Sequence, residues 1–79
     1  MQKYHLRFAD EHWVLFKSGE EPGKLKWMNK SEAISDCRRL LKGLATEKEP
    51  ISFEVHNKKG RIQTEYTYPR SADPRKSKG

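Results

Sequence analysis

The chain of 79 residues suits one small domain with a thin core, because a chain of this length buries only about 60% of its unfolded surface. No apolar run is long enough to span a bilayer, which argues against a membrane partner or a membrane-embedded protein. The single cysteine, Cys37, excludes an intrachain disulfide, so nothing indicates secretion and a cytoplasmic protein is expected.

The chain carries a basic surplus of +6, from 17 basic and 11 acidic side chains. Residues 1–66 and residues 67–79 each contribute +3, so the short C-terminal segment is basic for its length. Such a surplus favours polyanions such as nucleic acid. Mildly basic proteins without a polyanionic partner are also common, so charge alone does not decide the partner.

The first two predicted elements are strands. Tyr4, Leu6 and Phe8 alternate with polar residues, which is the period-two pattern of a half-buried strand. Residues 9–11 form a short polar turn, and residues 12–17 form a second strand. The two strands are expected to pair as an antiparallel hairpin.

A loop, a short strand and a helix follow. Residues 18–24 contain two glycines and a proline, and residues 25–28 form a short third strand. Asn29 is a favourable N-cap with Glu32 three positions later, and the helix is expected to end near residues 43–45. Its apolar stripe comprises Ala33, Ile34, Cys37, Leu40, Leu41 and Leu44.

The last third of the chain predicts a second hairpin. Residues 51–56 alternate in polarity, residues 57–60 form a turn that ends in Gly60, and residues 61–68 continue as a strand. Residues 69–79 combine proline, serine and basic side chains and are expected to form a flexible tail.

The expected fold is α+β, in the chain order β-β-β-α-β-β. One helix with one apolar stripe packs most economically across a single twisted antiparallel sheet, so residues 1–68 should form one domain followed by the tail. The predicted core residues are Trp13, Leu15, Trp27, Ile34, Leu41, Phe53, Val55 and Ile62.

The placed elements resemble a small bacterial and phage family catalogued only as a domain of unknown function. The resemblance is carried by Trp13 and Trp27, by the Asn-Lys-Ser-Glu-Ala-Ile run at residues 29–34, by the Val-His-Asn-Lys-Lys-Gly-Arg-Ile-Gln-Thr-Glu-Tyr run at residues 55–66, and by an Asp-Pro pair at residues 73–74. It implies a small domain of helix and sheet, and it implies no activity. The loop at residues 18–26 and the basic pair Arg38 and Arg39 depart from the family pattern.

Catalysis and metal binding are not expected from the sequence. Cys37 lies on the apolar stripe, which is typical of a buried thiol rather than a nucleophile. His5 and His12 could face each other across the first hairpin and His56 should point outward, but no Cys or Asp lies at metal-ligand spacing. No phosphate-binding loop or catalytic triad is visible, so no enzyme activity, cofactor or small-molecule substrate is expected.

Nucleic-acid binding is the leading prediction. The outward sheet face should carry Phe16 for base stacking, with Arg7, Lys26 and Arg61 for phosphates. Glu54 and Glu65 on the same face weaken this prediction. The outward face as a whole comprises Lys3, His5, Arg7, Val14, Phe16, Lys26, Ser52, His56, Arg61 and Gln63. The predicted binding residues are Arg7, Phe16, Lys26, Lys58, Lys59, Arg61, Arg70, Arg75 and Lys76.

Two alternatives remain open. The basic helix residues Arg38, Arg39 and Lys42 could provide the nucleic-acid surface instead. Val14 and Phe16 could form an apolar interface with a protein partner or a second copy of the chain. That interface would be absent if Phe16 packed against Tyr66, Tyr68 or the tail.

Overall fold

The computed structural model describes residues 1–69, and the predicted tail from residue 70 onward lies outside the described residues. The expected chain order of five strands and one helix is confirmed. The elements are β1 (Gln2–Ala9), β2 (His12–Lys17), β3 (Lys26–Trp27), α1 (Lys30–Leu44), β4 (Ile51–His56) and β5 (Ile62–Tyr68).

The sheet is mixed, so the prediction of a wholly antiparallel sheet is wrong. Its spatial order is β3-β2-β1-β4-β5, which differs from the chain order and places β1 at the centre. β1 is antiparallel to β2 but parallel to β4, with Leu6 opposite Val55. The physical reason is the helix between β3 and β4: it returns the chain across the sheet, so β4 enters beside β1 in the same direction.

Capping residues mark both ends of the helix. The Asn29 side chain accepts a hydrogen bond from the Glu32 backbone N–H at 3.0 Å, which satisfies one of the free donors of the first turn. At the other end, Ala45 is extended while its N–H donates to the Leu41 carbonyl at 3.0 Å. Both predicted boundaries are therefore confirmed.

The helix buries a narrower stripe than the sequence predicted. Ala33, Cys37 and Leu41 are fully buried at spacings of four residues, while Leu40 and Leu44 are 42% and 54% exposed. A helix crossing a sheet contacts it along one line, so the outer positions of a wide stripe stay in water.

The helix-facing side of the sheet forms the core, as predicted for Trp13 and Phe53. Trp27 and Ile34 are partly buried and pack against it. The indole Nε1–H of Trp27 also donates to the Asp36 carboxylate at 2.9 Å, which ties β3 to α1. The buried core residues are Leu6, Trp13, Leu15, Ala33, Cys37, Leu41, Ile51, Phe53, Val55 and Tyr68.

Ile62 was predicted to lie in the core, but the structure places it on the side of the sheet that faces away from the helix. The β4–β5 ladder shifts register between Val55 and His56, so Ile62 lies opposite His56 and is 53% exposed. A bulge adds one residue to one strand and reverses the facing of the positions beyond it. By the same shift Gln63 leaves the outward face and accepts a hydrogen bond from the Lys30 ammonium at the start of α1.

The other side of the sheet, which we call the open face, is not covered by α1. It carries Lys3, His5 and Arg7 of β1, Val14 and Phe16 of β2, Lys26 of β3, Ser52, Glu54 and His56 of β4, and Ile62, Glu65 and Thr67 of β5. Within residues 1–69, no helix combines the length and apolarity needed to span a membrane.

Candidate functional site

The parallel pairing of β1 and β4 brings two histidines together on the open face. His5 lies opposite Glu54, and His56 follows two positions along β4 on the same side. The Nδ1 of His5 lies 3.0 Å from the Nε2 of His56. The predicted contact between His5 and His12 is wrong, because β2 places Phe16 opposite His5 and leaves His12 opposite Ala9.

The hydrogen bonds around His56 fix the roles of its ring nitrogens. Its Nδ1–H can donate to the Gly60 carbonyl, 3.1 Å away, since a carbonyl only accepts. The Nε2 then carries a lone pair and accepts from the Nδ1–H of His5.

Glu54 is the third member of the cluster. Its side chain is 7% exposed, and its Oε1 lies 3.2 Å from the Nδ1 of His5 and 3.9 Å from the Nε2 of His56. Its other oxygen, Oε2, lies 3.5 Å from the Lys3 ammonium. One carboxylate and two imidazoles thus place their ligand-type atoms within 4.8 Å of one another. We call His5, Glu54 and His56 the histidine–glutamate cluster.

The surroundings of His5 disfavour its protonation. Burial lowers the pKa of His5 below its ordinary value of 6.5, because desolvation penalises the charged imidazolium. The Glu54 carboxylate acts in the opposite direction, while His56, Lys3 and Arg7 add to the lowering. His5 is therefore a neutral side chain at neutral pH.

An aromatic ring and a guanidinium border the cluster. The Phe16 ring stacks on the His5 ring, with centroids 5.3 Å apart and planes 23° from parallel. The Arg7 guanidinium lies 6.0 Å from the Phe16 centroid. Phe16 therefore packs against His5 rather than against Tyr66 or Tyr68, both of which belong to the helix side of the sheet.

Arg7 also connects the open face to the β4–β5 turn. A methyl group built on Gly60 would lie 3.6 Å from the Nη2 of Arg7, so the guanidinium rests beside this turn. The Asn57 side chain organises the turn by accepting hydrogen bonds from the backbone N–H groups of Lys59 and Arg61, at 2.9 and 3.0 Å. Lys59 and Arg61 are both exposed there.

The predicted binding residues are only partly brought together. Arg7 and Lys26 lie opposite the same residue, Val14, and so form one row across β1, β2 and β3. Lys58 instead extends over the Phe8 ring, 4.8 Å from its centroid, toward the helix side. Val14 is 6% exposed, so the predicted apolar interface offers a partner mainly the half-buried Phe16. Arg70, Arg75 and Lys76 lie outside the described residues.

A second basic surface lies on the other side of the molecule. A groove of about 910 Å³ runs between α1 and β5, lined among others by Arg38, Arg39, Lys42 and Tyr66. The Arg38 Nε–H donates to the Tyr68 hydroxyl at 2.9 Å, and its guanidinium lies 4.2 Å from the Tyr66 ring centroid. Arg38 is thus committed to the protein, which leaves fewer free donors for a ligand in this groove.

Comparison with known proteins adds no homologue. No family model, no curated protein and no solved structure matches this chain. The resemblance to a domain of unknown function therefore rests on the residues of this chain alone.

The sequence missed the histidine–glutamate cluster because its members are joined across the parallel β1–β4 pair. His5 and His56 are 51 positions apart, and no local spacing relates them. The available signal was alternation, since His5, Glu54 and His56 all occupy outward positions of their strands. Alternation gives the face of a residue but not the neighbouring strand.

Proposed function

We propose that this protein is a non-enzymatic nucleic-acid-binding module that holds a single strand across its open face. The observation that carries the proposal is the row formed by Arg7 and Lys26 on either side of Val14, with Phe16 two positions further along β2. Cations flanking an apolar and aromatic strip match the chemistry of a strand whose phosphates and bases are both accessible.

The spacing and charge of the row support this function. Arg7 and Lys26 sit two strands apart, about 10 Å by ordinary sheet geometry, so they can contact different phosphates of one chain. Lys59 and Arg61 extend the positive charge at the β4–β5 turn beside Arg7. The buried Glu54 weakens this field less than its charge suggests, because the Lys3 ammonium lies 3.5 Å from it.

The test is the salt dependence of oligonucleotide binding, measured by fluorescence anisotropy with single- and double-stranded DNA and RNA. We expect binding at low salt that weakens as salt rises, since each neutralised phosphate releases a counterion. Replacing Lys26 by alanine should lower the affinity severalfold and reduce the slope of log K against log salt by about 0.7 for a single strand.

Lys42→Ala is the matched control. It removes the same charge from the groove between α1 and β5, so it should leave the affinity for the oligonucleotide nearly unchanged. Absence of binding at low salt would overturn the proposal. An effect of Lys42→Ala equal to that of Lys26→Ala would move the site to the helix side.

Self-association is the second candidate, favoured by the β5 edge. β5 is an outer strand of seven residues, and Ile62 at its start is 53% exposed. An exposed edge strand can pair with the same strand of a second copy and form a symmetric dimer. Light scattering would then give a mass that rises with concentration, and Ile62→Lys would return it to that of one chain.

A further inference from the structure

We propose that His5, Glu54 and His56 form a binding site for a divalent transition metal, with Zn²⁺ as the preferred ion. Two imidazoles and one carboxylate are a donor set that zinc accepts in proteins, with a fourth position left for water or another ligand. The metal site does not depend on the proposed nucleic-acid binding, because its ligands are not the residues assigned to nucleic acid.

The distances within the cluster fit one ion. The three facing ligand atoms, Nδ1 of His5, Nε2 of His56 and Oε1 of Glu54, are separated by 3.0, 3.2 and 3.9 Å. A tetrahedral ion with bonds of about 2.0–2.1 Å needs its ligands about 3.3 Å apart. The observed triangle brackets this value, so binding requires only small side-chain shifts. Binding also requires His5 to carry its proton on Nε2 instead of Nδ1, so that Nδ1 presents a lone pair to the ion.

The hydrogen bonds outside the triangle orient its members. His56 directs Nε2 inward because its Nδ1–H donates to the Gly60 carbonyl, an arrangement that fixes the tautomer needed for a ligand. Phe16 stacks on His5 and restricts rotation of that ring. Lys3 lies near Oε2 of Glu54, which leaves Oε1 as the oxygen available to the ion.

The low exposure of its side chains distinguishes this cluster from histidines and carboxylates that meet on a protein surface. The side chains of His5, Glu54 and His56 are 15%, 7% and 9% exposed. The ligands are therefore held in place before an ion arrives, and less conformational entropy is lost on binding. The remaining exposure lies on the open face, where an ion and its fourth ligand can enter.

The experiment is a titration of the purified, tag-free protein with Zn²⁺, read by thermal unfolding and by the imidazole NMR signals. Zinc at about 100 times its dissociation constant should raise the melting temperature by at least roughly 10 °C, and a chelator should reverse the rise. The imidazole signals of His5 and His56 should shift while those of His12 should not. This readout uses the wild-type chain, so it does not depend on any variant folding.

Variants assign the ligands. His5→Gln and His56→Gln should each weaken zinc binding by at least about 10-fold, while His12→Gln, which removes a histidine outside the cluster, should not. Lys3→Ala should strengthen binding, because it removes a cation that competes for Glu54. The proposal is overturned if zinc leaves the melting temperature unchanged, if only the His12 signals shift, or if His12→Gln weakens binding as much as His5→Gln.

Discussion

Cys37 lies beneath the helix with none of its side chain exposed, and this position determines its chemistry. Burial raises the pKa of its thiol from 9.0 to about 12, with the nearby Asp36 carboxylate acting in the same direction. The thiolate is the reactive form, so a thiol with this pKa is inert at neutral pH. The interpretation of Cys37 as a core residue is consistent with this environment.

We predict that Cys37 reacts with a chromogenic disulfide reagent much more slowly in the native protein than in the urea-unfolded chain at pH 8. The unfolded chain serves as the control, since it contains the same thiol without its surroundings. Equal rates in the two states would contradict the burial of this side chain.

The same pKa shift makes stability depend on alkaline pH. The pKa of the Cys37 thiol is higher in the folded protein than in the unfolded chain, so the stability contributed by the buried neutral thiol is fully present below about pH 9. It is lost as pH rises from 9 toward 12, because only the unfolded chain releases the proton. The melting temperature should therefore fall over this range, and Cys37→Ala should make the fall shallower.

Gly60 and Gly43 lie in different elements, and an added methyl group has different consequences in each. Gly60 has φ +88° in the β4–β5 turn, a conformation that side chains with a Cβ rarely adopt. Gly43 lies in the last turn of α1, and a methyl group added there meets nothing within 4 Å. The two glycines differ in backbone conformation rather than in the space around them, since the atom nearest to a Gly60 methyl lies at the ordinary contact distance of 3.6 Å.

We predict opposite effects for the two alanine substitutions on the free energy of unfolding. Gly60→Ala should destabilise the protein by roughly 1–2 kcal/mol through backbone strain. Gly43→Ala should stabilise it by about 0.5–1 kcal/mol, because alanine restricts the unfolded chain and favours the helix. Urea unfolding measures both values, and a stabilising Gly60→Ala would exclude the described turn.

Local pattern was sufficient to predict most elements. Alternation identified β1, β2 and β4, and the Asn29 cap identified the start of α1. The bulge beside His56 was not predictable, because it depends on how two strands align rather than on the composition of either. That one shift moved Ile62 and Gln63 to the faces opposite to those predicted.

At the scale of the whole molecule, the sheet has two sides with different roles. One side packs against α1 and contains Trp13, Leu15 and Phe53. The other contains the row of Arg7 and Lys26 and the histidine–glutamate cluster. Except at Ile62 and Gln63, alternation predicted which residues face outward. The strand order, which joins His5 to His56, depends on long-range packing and was not accessible from one sequence.

The most direct test of the proposed nucleic-acid-binding surface is an NMR titration of the isotope-labelled protein with a short single-stranded oligonucleotide at low salt. We predict that the backbone amide signals that shift most belong to the open face, at Arg7, Val14, Phe16 and Lys26, while those of Arg39 and Lys42 remain in place. Shifts confined to Arg39, Lys42 and Tyr66, or no shifts at all, would contradict the assignment of the open face as the nucleic-acid-binding surface.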